Sequence, residues 1–218
     1  MKNQKGFTIT EIVIAISVSA ILSSVLFMVT FRFYSNALQA QITTEMALES
    51  QTILTQMVED IRLADSINTT NVITDANSPT GGWVTSDPSN IIIIANPAKN
   101  SSQDIIYNSS TSLPYKNEFI YFISGGKMYK RILKNTSATG NLATTTCPPN
   151  AVTASCPPDK FFSDKINNLT FTFYDINDAT TASASSARSV LLTVNMTKTV
   201  FGKVITLANS TRVTLRNQ

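Results

Sequence analysis

From Ile12 to Phe31 the sequence runs through 20 residues without a charge. At about 1.5 Å per helical residue such a run spans roughly 30 Å, the thickness of a bilayer's hydrocarbon core. The run reads as a membrane helix. One carboxylate, Glu11, stands at its edge in KGFTITEIVIA. A charge there must be paired or held at the interface, because leaving it alone in lipid costs several kcal/mol.

Lys2 and Lys5 precede the run as they would in a secretory signal. The apolar stretch outlasts a signal's h-region of about 7 to 15 residues, and FRFYSNALQAQ continues it without a small-x-small cleavage site. The one obvious processing point is Gly6, which comes before the run. An uncleaved signal anchor is the plainer alternative.

Composition narrows the function. The chain has 218 residues and 43% hydrophobic content, enough for one anchor and one domain of ordinary size. Histidine is absent, which removes the commonest general base and metal ligand and argues against an enzyme. A net charge of +3 with scattered lysines gives nucleic acid no support as a partner.

GFTITE followed by the apolar run resembles the N-terminus of type IV pilins and the related pseudopilins, the class III signal read by prepilin peptidase. The resemblance implies an α+β pilin fold: a long N-terminal α-helix, its first half transmembrane, packed on an antiparallel β-sheet. It implies cleavage after Gly6 and methylation of Phe7, leaving Glu11 as the docking residue that pairs with a neighbouring subunit's N-terminal amine. Losing Lys2 and Lys5 brings the charge balance to 15 against 14. The implied organisation is a leader over 1–6, a transmembrane or filament-core half-helix over 7–31, an amphipathic half over 32–67 and a β-sheet headgroup over 68–218. Implied partners are prepilin peptidase, other pilin or pseudopilin subunits, the inner-membrane assembly platform and, before assembly, membrane lipid. The expected location is a single-pass inner-membrane protein with an exterior headgroup, later at the cell surface; no cofactor is expected. Unlike many pilins, this apolar run lacks Gly and Pro, although Ser17, Ser19, Ser23 and Ser24 allow bending.

Leu38, Ile42, Met46, Ile53, Met57, Ile61 and Ala64 keep an apolar stripe going, so one helix is predicted from about Thr8 to about Ile67. QMVEDIRLADSI and the closing TRVTLRNQ resemble minor pilins and minor pseudopilins of the W and J kinds; otherwise Asp60 and Arg62 read as solvent-facing. Ser66 to Gly82 reads as loop. Strand patterns follow at IIIIA from Ile91, at DIIY from Asp104, and on both sides of Gly125-Gly126, a hairpin signal. LTFTFYDI, SVLLTVNMT and KVITLANSTRVTL complete a mainly antiparallel sheet.

Cys147 and Cys156, outside the cytoplasm and flanked by prolines, read as a disulfide closing a small loop; a metal site would need ligands from elsewhere. Asp175, Asn177 and Asp178 offer oxygens to Ca²⁺ as a weak candidate, or form a polar hairpin turn. Three functions fit: a minor type IV pilin, a minor pseudopilin of a type II secretion system, or an adhesin or DNA-uptake pilin. The last would bind through loops near Trp83, Tyr115 and the cysteines, with Lys127, Lys130, Arg131 and Lys134 as its nearest basic cluster, which equally reads as a charged edge strand.

Overall fold

The computed structural model describes residues 8–85 and 90–215. Helix α1 (Ile9–Arg62) runs unbroken for 54 residues. Serine and threonine hydroxyls in its apolar half donate back to the carbonyls four residues earlier, Ser17 to Val13 and Ser24 to Ala20, both at 2.8 Å. These polar groups are therefore satisfied within the helix wherever it lies in lipid.

The helix stops at Arg62, sooner than the apolar stripe predicts, because sheet pairing captures the next backbone. Leu63 caps the helix. Asp65 N–H then donates to Ala95 O at 2.9 Å, and β1 (Ser66–Asn68) pairs with β2 (Ile92–Pro97). Part of the segment read as loop is thus a strand.

The strands form two antiparallel sheets where a single one was expected. The first has the order β1, β2, β3 (Lys116–Ser124), β4 (Lys127–Leu133), β5 (Lys160–Ser163). The second is β7 (Thr180–Thr181), β6 (Ile166–Tyr174), β8 (Ser189–Val200), β9 (Lys203–Thr214). Gly125 and Gly126, at φ 59° and 72°, make the tight β3–β4 turn that the sequence signals. DIIY does not become a strand. Its residues make isolated bridges, Lys99 with Ile105 and Tyr107 with Pro114, and the proline has no N–H to extend a ladder.

Burial follows the expected stripe. Met46, Ile53, Met57, Ile61 and Ala64 are buried, and Ile42 packs against the same core. They meet Ile92 and Ile94 of the first sheet and Leu169, Val190, Leu192 and Val194 of the second. The four-isoleucine run has no alternation because β2 is covered on both sides: Ile93 joins Trp83, Ile120, Phe122 and Leu133 in a second cluster. One half of α1 is thereby fixed to the head, while Ile9 to Tyr34 stays exposed.

Candidate functional site

Gly6 and Phe7 lie outside the described residues. At Thr8 the backbone is extended (φ −78°, ψ 152°), and the residue caps α1. Glu11 N–H donates to Thr8 Oγ1 at 3.4 Å, while Glu11 Oε2 accepts from Thr8 N–H at 2.8 Å and from Thr8 Oγ1 at 2.9 Å. This is a reciprocal capping box that satisfies donors a helix start leaves unpaired. In the single chain Glu11 already has a partner, Thr8, besides the neighbour's amine that the resemblance implies. The signal was present in the sequence as Thr8-x-x-Glu11, the pattern that marks a helix N-terminus.

Glu11 shares a helix face with Ala15, Ser19 and Ser23, at steps of four residues, and these side chains line a shallow groove. Around them Ile9, Ile14, Ile16, Leu26, Phe27 and Phe33 are all exposed. This half of the molecule therefore offers apolar surface, small side chains that admit close approach, and one carboxylate at the end.

Residues 1–27 match the family model described as the prokaryotic N-terminal methylation motif. The chain carries a class III prepilin N-terminus. The motif supports a type IV pilin or pseudopilin substrate of prepilin peptidase, a structural subunit that assembles with others of its kind. With the exposed apolar helix it supports a membrane-anchored protein. No curated protein matches the chain.

The head attached to this prepilin N-terminus does not display the expected basic cluster. Strand alternation sends Lys130 and Arg131 to opposite faces of β4, which lies between β3 and β5 and is no edge. Lys130 turns to the helix, where its Nζ lies 2.5 Å from Asp60 Oδ2 and 4.1 Å from the centre of the Phe119 ring. Asp60, read as solvent-facing, is only 6% exposed and also accepts the Tyr121 hydroxyl. Burial pushes the Lys130 ammonium below its ordinary range, and Asp60 restores part of that loss.

Arg131 is 1% exposed and reaches two carboxylates. Its Nη1 donates to Asp75 Oδ2 at 2.9 Å, and its Nη2 and Nε donate to Asp159 at 2.6 and 3.1 Å. The guanidinium sits 5.3 Å from the Trp83 ring. Trp83, expected in a binding loop, is itself buried and donates its indole N–H to Asp75 Oδ2 at 2.7 Å. Thr146 Oγ1 donates to Asp159 at 2.8 Å, which ties in the neighbouring disulfide loop. Cys147 and Cys156 are bonded, with Cα atoms 5.6 Å apart, so both thiols are used and the metal alternative falls.

Asp175 Oδ1 accepts the N–H groups of Asn177 and Ala179 at 2.8 and 3.0 Å, forming an Asx turn, and Asp178 pairs with Arg212. Asp175 Oδ1 and Asp178 Oδ1, two of the oxygens weighed for Ca²⁺, are thus engaged in the turn and an ion pair.

The Asp75 contacts predict a pH response. Burial raises its pKa, but hydrogen bonds from Trp83, the Asn77 N–H and Arg131 outweigh burial and hold it below the usual carboxylate range. A carboxyl depressed on folding contributes stability that is complete above its unfolded pKa of about 4 and is lost as pH falls through the folded value. Urea unfolding from about pH 6 down to about pH 3 is expected to show a steeper loss for the wild type than for Asp75→Asn. Parallel curves would remove Asp75 from the acid response.

Proposed function

We propose that the chain is a minor subunit of a type IV pilus. Prepilin peptidase removes residues 1–6 on the cytoplasmic side, Phe7 is methylated, and the helix holds the subunit in the inner membrane with its head outside. It is then drawn into the filament. The observation that carries this reading is the bare apolar half of α1, joined to the prepilin N-terminus at one end and a folded head at the other. Lipid covers such a surface first, and the helices of other subunits cover it afterwards. The minor rank draws support from the resemblance of QMVEDIRLADSI and TRVTLRNQ to minor subunits.

Glu11 docks the subunit by exchanging partners. In the single chain its carboxylate caps α1 through Thr8, an arrangement worth about 1 kcal/mol. A neighbour's N-terminal amine in apolar surroundings offers an opposite charge instead, and there neither ion can stay unpaired without a cost of several kcal/mol. The amine therefore displaces Thr8, and only a correctly placed neighbour provides it.

Glu11→Ala is expected to yield a mature chain that begins at methylated Phe7 by mass spectrometry, yet is strongly depleted from sheared surface filaments. Normal incorporation would remove the docking role. A chain beginning elsewhere would remove the processing assignment. A wild-type chain absent from surface filaments but needed for protein export would assign it to a type II secretion filament.

A further inference from the structure

Strands β8 and β9 outrun their sheet. Pairing of β8 with β6 ends at Met196, whereas β8 and β9 continue from Lys198–Ile205 to Val200–Lys203 as a two-stranded arm. The arm runs along α1 from the Asn209–Ser50 hydrogen bond to Phe201 at its tip, whose ring centre lies 5.7 Å from that of Phe31 and 6.2 Å from that of Tyr34. Along the helix, Ser50 to Phe31 is about 28 Å. The tip therefore stands where the charge-free run ends and Arg32 begins.

The turn itself is costly. Phe201 has φ 48°, in the left-handed region where glycine or asparagine is the usual occupant, and it precedes Gly202 at φ 75°. Packing on Phe31 and Tyr34 does not bury the ring, which remains 54% exposed beside exposed Val204. Lys198 lies three residues before Phe201, Lys203 two residues after it and Arg32 next to Phe31, and none of them forms an ion pair among the described residues. Aromatic rings with nearby cations suit the headgroup layer, where a ring has an apolar body below it and the cations meet lipid phosphates.

We propose that the β8–β9 tip is a second membrane contact: before assembly, Phe201 and Val204 seat in the headgroup layer of the bilayer that α1 crosses, with Arg32, Lys198 and Lys203 on anionic lipid. The contact fixes the rotation and tilt of the head above the membrane. It rests on the membrane-spanning reading of α1 and does not depend on which filament the subunit joins.

The full-length chain in vesicles of equal parts phosphatidylcholine and phosphatidylglycerol tests it, with lipids brominated near the headgroup end of the acyl chain as quencher. Relative to the wild type, whose Trp83 sets the background, the indole added by Phe201→Trp is expected to lose roughly half its emission. That loss should be unchanged when protein is diluted in lipid. Phe201→Gly relieves the backbone and keeps the turn; in that background a Val204→Trp probe is expected to lose most of its quenching. Ile21→Trp, read in the same vesicles with lipids brominated near the methyl end of the acyl chain because its indole lies at mid-bilayer depth, separates the two readings. Quenching there without quenching at Phe201→Trp overturns the tip contact alone, and no quenching at either position overturns the membrane span with it. Quenching at the tip that disappears on dilution means that the tip reaches lipid only with a second copy of the chain, and overturns the contact made by the single subunit.

Discussion

Arg131→Met is expected to destabilise the head by about 3–5 kcal/mol, because it leaves two buried carboxylates without their cation. Asp75 and Asp159 are held at 2.9 and 2.6 Å from the guanidinium, with side-chain exposures of 4% and 1%. Neither carboxylate has room to reach water, and each also organises a loop: Asp75 through Asn77 and Trp83, Asp159 through Thr146. Arg131→Lys should rescue little, since a single ammonium does not reproduce the fork that joins two acids at once. Trp83 is the one tryptophan in the sequence and packs against Arg131, so its emission reports the unfolding directly. A loss under about 1 kcal/mol in urea would mean that the network adds no stability.

The second large effect concerns the join between helix and sheet. Asp60→Ala strands the Lys130 ammonium in the interior and leaves the Tyr121 hydroxyl without its acceptor, for an expected loss of about 3–5 kcal/mol. The sign of its pH dependence follows from burial. Without Asp60 the folded lysine favours its neutral form, so its folded pKa lies further below the unfolded value of about 10.4. The unfolded state then binds more protons at alkaline pH, and the deficit should shrink as pH rises. In a Tyr121→Phe background, which removes the stranded hydroxyl, replacing both partners, Asp60→Leu with Lys130→Met, is expected to recover most of the stability, because well-packed apolar groups often equal a buried ion pair. The resulting variant, if as unstable as Asp60→Ala, would show that packing around the pair, and not stranded charge, sets the loss.

Local patterns in the sequence anticipate local structure here. Periodicity marks the buried face of α1, and Gly125-Gly126 marks the β3–β4 turn, because both depend on residues a few positions apart. The division into two sheets escapes such reading, since strand order is decided by partners far apart in the chain. Strand β1 is three residues long and exists because β2 offers an edge to pair with. Asp60 and Lys130 are 70 positions apart, so nothing near either residue shows that both are buried. Of the candidate site, Gly6, Phe7 and Glu11 stand out in the sequence because they lie in a short linear motif, whereas the capping geometry of Glu11 depends on Thr8 adopting an extended backbone.

The contacts that hold α1 to the head are spread along its axis. Lys165 grips Glu45 and Glu49 at one end, Lys160 reaches Gln56 in between, and Asp60 meets Lys130 at the other. Glu45 and Asp60 are about 22 Å apart along the helix. Tension on the anchor pulls parallel to that line, so it loads the clamps in shear and all together. Detaching the head requires them to fail as a group, whereas a peeling load would open them in turn. The join is therefore strongest against a pull along the direction in which the helix points.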